Sequence, residues 1–96
     1  MKGGWVYILT NRPNGTSYIG VTNDIVRRAW EHRSSVGSSF ALRYNLDRLV
    51  FFENHPEIAP AIGRETRLKR WPQAWKIALI EAVNPGWEDL YPIVDR

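Results

Sequence analysis

Short apolar runs alternate with turn residues in the first part of the chain, and this pattern predicts strands. Residues 5–10 are rich in β-branched and aromatic side chains, which is typical of a strand. Asn14-Gly15 is a strong hairpin signal, and residues 17–20 are the predicted return strand. Because side chains alternate along a strand, a two-residue turn at Asn14-Gly15 would place Tyr7 and Tyr18 on the same face of the hairpin.

Apolar residues at helical spacing follow the hairpin and predict the first helix. We expect this helix to run from Asp24 to Arg33, with Thr22 or Asn23 as its N-cap. Its predicted apolar face consists of Ile25, Val26, Ala29 and Trp30.

The rest of the chain predicts one more strand and two long helices. Residues 40–45 are expected to form a single helical turn, and residues 48–53 a buried strand. Residues 57–71 and 72–83 are expected to be helical, with Pro72 in the first turn of the second helix. The order of elements predicts an α+β fold: a small three-stranded, mostly antiparallel sheet flanked by helices, as one domain over residues 1–96.

Composition narrows the class of protein. Of the 96 residues, 44% are hydrophobic and 24% are charged, which excludes a disordered chain. The longest apolar runs span about five residues, far short of a membrane-spanning segment, so no membrane association is expected. The absence of cysteine excludes disulfides and thiolate metal sites and favours a reducing, cytoplasmic compartment.

Charge is distributed unevenly along the sequence. Lys and Arg total 13 against 10 acidic residues, and most of these cations are arginines, whose planar fork suits phosphate. Residues 1–52 and 64–76 are basic, whereas residues 77–96 are acidic. This asymmetry indicates an anionic partner, with nucleic acid as the first candidate, although a solvated basic surface would give the same pattern.

Glu65 is the most unusual residue of the predicted helix 57–71. It falls on the same helical face as Ile58, Ala61, Ile62 and Leu68, whereas Arg64, Arg67 and Arg70 fall on the opposite side. A carboxylate against a core is costly unless it is paired or binds a metal. Glu65 is therefore either a single-carboxylate ligand of a divalent cation such as Mg²⁺ or a rim residue paired with an arginine.

The other candidate residues are individually ambiguous. Asp24, Arg28 and His32 form one polar row of the first helix, a pattern that exposed helices also show without any function. Tyr7 and Tyr18 are packing residues as readily as catalytic ones. Arg43-Tyr44 in the middle of the chain is the pattern of an exposed arginine beside a core aromatic residue.

Taken together, these motifs resemble the GIY-YIG nuclease family. Val6-Tyr7-Ile8 and Tyr18-Ile19-Gly20 are similar to the paired signature of that family, with the first motif written Val-Tyr-Ile here. Residues 20–32 resemble its arginine-bearing helix, and Arg64-Glu65 resembles the segment with its metal-binding glutamate. Residues 84–90 are similar to the end of the small stand-alone members, so the resemblance covers nearly the whole chain.

The resemblance implies a role for each matching residue. Tyr7 and Tyr18 would line the catalytic face, one of them as general base, and Arg28 would contact the scissile phosphate. His32 would carry a proton or bind phosphate, and Glu65 would hold one Mg²⁺ or Mn²⁺ ion. Asn84 matches a late catalytic asparagine of the family, although an Asn before Pro is also an ordinary helix stop.

Three hypotheses follow for the function. The first is a metal-dependent endonuclease that hydrolyses phosphodiester bonds in DNA, in repair or recombination. The second is a non-catalytic nucleic-acid-binding module on the same scaffold, and the third is a plain interaction domain. In the first two, phosphate contacts are expected from the arginines Arg27, Arg28, Arg43, Arg64 and Arg67.

Overall fold

The computed structural model describes residues 3–33, 46 and 48–94, and its elements follow one another in the predicted order. The strands are β1 (Gly4–Thr10), β2 (Ser17–Thr22) and β3 (Arg48–His55). The helices are α1 (Ile25–Arg33), α2 (Ile58–Lys69), α3 (Gln73–Val83) and the short α4 (Tyr91–Val94). The predicted α+β class is confirmed, and the predicted turn at residues 40–45 lies outside the described residues.

The three strands form one sheet in the order β2-β1-β3, and both strand pairings are antiparallel. β1 is therefore the central strand, and all its residues from Val6 to Thr10 are buried. In the β1–β3 pairing, Ile8 faces Phe51 and Leu9 faces Leu49, so Val50 is an extra residue in β3. Such a β-bulge leaves one residue outside the regular ladder of hydrogen bonds.

The hairpin between β1 and β2 differs from the predicted two-residue turn. Thr10 pairs with Ser17, so residues 11–16 form the connection. Within it, the Gly15 amide donates to the Arg12 carbonyl at 3.0 Å, and Asn14 has a φ of 57°. Pro13 before a left-handed Asn14 is the pattern of a type II turn, whereas the predicted turn needed Asn14-Gly15 at the centre of a tighter hairpin.

A hydrophobic core lies on each face of the sheet. On one face, α2 and α3 pack against β1, β2 and β3 through Ala61, Leu68 and Ile80. α2 approaches β1 closely, since a Cβ added at Gly4 would lie 2.6 Å from the Cβ of Ala61. On the other face, Ile25 of α1 packs with side chains of the sheet. That second core comprises Tyr7, Leu9, Ile25, Leu46 and Leu49, flanked by Tyr18 and Leu90.

Both predicted apolar helix faces are narrower than expected. In α1, Ile25 and Ala29 are buried, whereas Val26 and Trp30 are exposed. In α2, Ala61 and Leu68 are buried, but Ile58 and Ile62 are exposed. The reason is geometric: each helix touches the sheet along a single row of side chains, so neighbouring apolar positions fall outside the contact.

Candidate active site

Tyr7 and Tyr18 share one face of the sheet, as the alternation of side chains predicts. Tyr7 pairs with Gly20 across the hairpin, and Tyr18 pairs with Leu9. The two ring centroids are 6.3 Å apart, with the ring planes tilted by 41°. The shared face survives the change of turn because the register shifts by two residues, which is one full period of a strand.

Gly20 provides the space that the Tyr7 ring occupies. A Cβ at this position would lie 2.5 Å from both Cζ and the hydroxyl oxygen of Tyr7. It would also lie 2.9 Å from Cε1 of Tyr18. Sequence reasoning placed Gly20 in a motif but missed this steric role, although a glycine inside a strand often marks a close approach.

Arg28 reaches the tyrosines from α1. Its Nε donates a hydrogen bond to the Tyr7 hydroxyl oxygen at 3.1 Å. The beginning of α1 is fixed by Asp24, whose Oδ1 accepts a hydrogen bond from the Arg27 amide at 3.1 Å. Asp24 is thus the N-cap, where Thr22 or Asn23 was predicted; Thr22 instead accepts from the Asp24 amide. This cap sets the position at which Arg28 leaves the helix.

Burial and hydrogen bonding set the ionisation of the Tyr7–Arg28 pair. Burial raises the pKa of the Tyr7 hydroxyl above its ordinary 10.0, and this outweighs the opposing effect of Arg28. The pKa of Arg28 is also raised, chiefly by its hydrogen bond to Tyr7. At neutral pH the pair is therefore a neutral phenol that holds a permanent cation in place.

Glu31 balances part of the positive charge on α1. Its Oε1 lies 3.3 Å from Nη1 of Arg28, and its Oε2 lies 3.5 Å from Nε of Arg27. These three side chains line an open groove of 470 Å³ together with residues 21–24 and Ile58. His32 belongs to the same helix, but its side chain lies outside the described residues.

Glu65 is on α2, the helix that covers the other face of the sheet. Its side chain is 16% exposed, and its Oε2 lies 3.3 Å from Nζ of Lys69, one helical turn away. The predicted rim pairing therefore occurs, but with a lysine in place of an arginine. Lys69 in turn lines a groove together with Tyr18.

Arg64 is held by contacts within the protein, and its role in phosphate binding stays a prediction. Its Nε and Nη2 donate to the Glu53 carboxylate at 3.0 and 3.4 Å. Its guanidinium also lies over the Trp71 ring, 5.2 Å from the centroid. Arg64 was predicted to lie on the side of the helix opposite the core, but its side chain is only 23% exposed, because β3 and Trp71 both contact it.

The remaining predicted phosphate contacts have different surroundings. The Arg27 side chain is 75% exposed, and Arg67 is exposed on α2. Arg43 lies outside the described residues. Arg27 and Arg67 are therefore accessible to a nucleic acid, while their role in binding stays a prediction.

Asn84 is buried and fully engaged at the end of α3. Its Nδ2 donates to the Val50 carbonyl at 3.0 Å and to the Glu88 carbonyl at 2.9 Å. Its Oδ1 accepts from the Glu88 amide at 3.0 Å. These contacts tie the C-terminal segment to the bulge in β3, on a different edge of the sheet from the tyrosines. These contacts give Asn84 a structural role, and its catalytic role stays a prediction.

Comparison with known proteins agrees with this arrangement. The model of the GIY-YIG catalytic domain matches residues 3–78. A UPF0213 protein of Xanthomonas axonopodis pv. citri is 33% identical over 82 residues, covering 85% of this chain and 79% of the relative. A UPF0213 protein of Desulfotalea psychrophila is 31% identical over 94 residues, covering 94% of this chain and 83% of the relative. No solved structure gives a significant match. With the tyrosine pair, Gly20 and Arg28 assembled on one face, the chain belongs to the GIY-YIG catalytic domain family.

Proposed function

We propose that this protein is a divalent-cation-dependent endonuclease that hydrolyses phosphodiester bonds in DNA. Membership of the GIY-YIG family implies a nuclease and a nucleic acid substrate. The observation that carries the finer proposal is the Arg28–Tyr7 hydrogen bond beside Tyr18, because it holds a permanent cation next to two phenols. Repair or recombination is the proposed setting, and the cytoplasm the proposed compartment.

Arg28 has the role of neutralising the scissile phosphate. Negative charge accumulates on the phosphoryl oxygens during hydrolysis, and a cation held in advance stabilises that charge without reorganising. Tyr7 provides this preorganisation, since its hydroxyl oxygen accepts a hydrogen bond from Nε, one of the five N–H donors of the guanidinium.

Tyr18 is the proposed general base of the pair. Tyr7 is ill suited to this task, because burial raises its pKa further from neutrality. To act as a base at pH 7, a phenol needs preferential stabilisation of its phenolate by nearby cations. Tyr18 is only half-buried and borders an open groove with Lys69, so cationic groups can approach its hydroxyl.

Glu65 is the proposed ligand of the cation, and its chemistry fits a hydrated Mg²⁺ or Mn²⁺. The part of the chain that the structure describes contains no cluster of three or more acidic or histidine ligands, which argues against a caged metal. Mg²⁺ commonly takes one or two carboxylates and keeps several waters. When bound, such a cation would supply Lewis acidity and stabilise the leaving oxygen.

The decisive experiment is cleavage of labelled single-stranded, duplex and branched DNA with Mg²⁺, with Mn²⁺ and with EDTA. We expect cleavage with either metal and none with EDTA. Glu65→Ala should lower the rate by about a hundredfold or more while DNA binding is retained. Glu57→Ala is the matched control, because Glu57 lies at the N-terminal end of the same helix, is exposed and makes no capping hydrogen bond.

Two outcomes would contradict the proposal. Binding without cleavage under every metal condition would favour the non-catalytic module. Undiminished cleavage by Glu65→Ala would remove Glu65 from the metal site.

A further inference from the structure

A second groove, of 370 Å³, opens beside Tyr18. Its walls are Ser17, Tyr18 and Ile19 of β2, together with Lys69 and Lys76. The groove therefore joins the outer strand of the sheet to two cationic side chains from different helices. None of the predicted nucleic-acid contacts includes either lysine.

The junction between α2 and α3 brings these lysines together. Lys69 is the last residue of α2, and Lys76 lies in the first turns of α3. The Lys76 ammonium donates to the Lys69 backbone carbonyl at 3.5 Å, so it lies at the C-terminal end of α2. This position is electrostatically favourable for a cation, because helix C-termini carry partial negative charge.

The charge of the groove is positive overall. Lys69 is paired with Glu65 at 3.3 Å, but among the described residues no acidic side chain forms an ion pair with Lys76. The groove also has apolar walls from Tyr18 and Ile19 beside its ammonium groups. A nucleic acid strand matches this lining, because its phosphates are anionic and its sugars present apolar surface.

We propose that Lys69 and Lys76 form a phosphate subsite, which holds a backbone phosphate of the substrate strand next to the phosphate that is cleaved. This inference rests on the proposed function and extends it. The groove borders Tyr18 directly, and Lys69 contacts Glu65, so a strand seated there lies beside residues that contact or are the proposed catalytic groups. The two lysines position the strand and take no part in bond breaking.

The test measures binding in EDTA, so that neither cleavage nor a bound cation affects the result. A fluorescently labelled single-stranded oligonucleotide and its duplex are titrated with each protein while anisotropy is recorded at several salt concentrations. Lys76→Gln should weaken binding by about three- to tenfold and lower the log–log salt slope by about 0.7–0.9, the value of one phosphate contact. Lys76→Arg should bind within about twofold of the native chain.

Ala78→Glu is the matched control for net charge. Ala78 is exposed and lies two residues after Lys76, which is about 200° around the helix, so the change alters net charge by the same amount on the opposite side of α3. This variant should bind within about twofold of the native chain, since exposed charges away from the contact are screened. Thermal melts of all variants establish that they are folded.

The outcomes separate this subsite from the proposed function. Equal affinity and salt slope for Lys76→Gln and the native chain would overturn the subsite alone, while DNA cleavage still stood. An equal loss in Lys76→Gln and Ala78→Glu would also overturn it, because net charge would explain the effect. Absence of nucleic acid binding by the native chain at low salt would overturn both proposals.

Discussion

The two outer edges of the sheet use polar residues in opposite ways. At the β3 edge, the C-terminal segment closes the strand: the Leu90 amide donates to the Leu49 carbonyl at 2.7 Å, and Asp89 accepts from the Leu49 amide at 3.1 Å. Asn84 adds its contact to the bulged Val50. At the β2 edge, grooves lie open beside Tyr18 and Arg28.

The difference shows how polar groups that stabilise the fold can be distinguished from polar groups that are available for catalysis. Asn84 is buried, and three hydrogen bonds occupy its amide. Arg28 hydrogen-bonds Tyr7 and Glu31, but its side chain is 29% exposed and lines an open groove. A polar group whose hydrogen bonds are all made within the protein stabilises the fold. A polar group that remains accessible to solvent can also bind a substrate.

The largest expected effect is at the β2 edge. Tyr18→Phe should lower turnover by about a hundredfold or more, the usual range for loss of a general base. Tyr7→Phe removes the acceptor of Arg28 and should cost less in turnover, with a loss of about 0.5–1.5 kcal/mol in the free energy of unfolding. Single-turnover cleavage with a parallel thermal melt measures both. Full activity in both variants with native melts would show that this face is not catalytic.

The next effect is at the β3 edge and concerns stability. Asn84→Ala leaves the buried Val50 carbonyl without its partner and should lower the free energy of unfolding by about 2–4 kcal/mol. Urea unfolding measures this change, with Asn54→Ala as control because Asn54 is exposed on β3. Below its melting range the variant should cleave within about threefold of the native rate. A hundredfold loss of turnover with native stability would instead return Asn84 to the catalytic site.

The smallest effect sharpens the distinction between the two tyrosines. Because the pKa of folded Tyr7 lies above 10.0, unfolded chains ionise at this residue first as pH rises. The contribution of the neutral Tyr7 phenol to the free energy of unfolding is thus fully present below about pH 10. It is lost as pH rises through the raised pKa of Tyr7. A phenolate absorbance titration should show one late tyrosine that is absent from Tyr7→Phe. Loss of an early-titrating tyrosine in that variant would refute the assignment.

The sequence was sufficient to predict the strands, the helix order and the shared face of Tyr7 and Tyr18, because these depend on local periodicity. The hairpin turn was predicted wrongly, since Asn14-Gly15 fits a tight turn equally well in isolation. Only the pairing with β1 determines that residues 11–16 form the connection.

Long-range contacts explain what the sequence could not predict in the site. Arg64 was expected on the side of α2 opposite the core, but its partners Glu53 and Trp71 come from other segments. The sequence around Asn84 does not indicate that its side chain contacts the bulge at Val50, 34 residues earlier in the chain. Lys69 and Lys76 belong to different helices, so the distance between them depends on the angle between α2 and α3. The hydrophobic periodicity of the sequence does not determine that angle.

The glycine at position 20 controls the position of the two tyrosine side chains. The Tyr7 hydroxyl oxygen lies only 2.5 Å from the position that a Cβ of residue 20 would occupy. A methyl group there would force the Tyr7 phenol to move and would also crowd the Tyr18 ring at 2.9 Å, although Arg28 and both tyrosines remained in the chain. The absence of a side chain at residue 20 therefore determines where the two tyrosine rings lie. A change in volume at this position would alter the site without changing any of its polar groups.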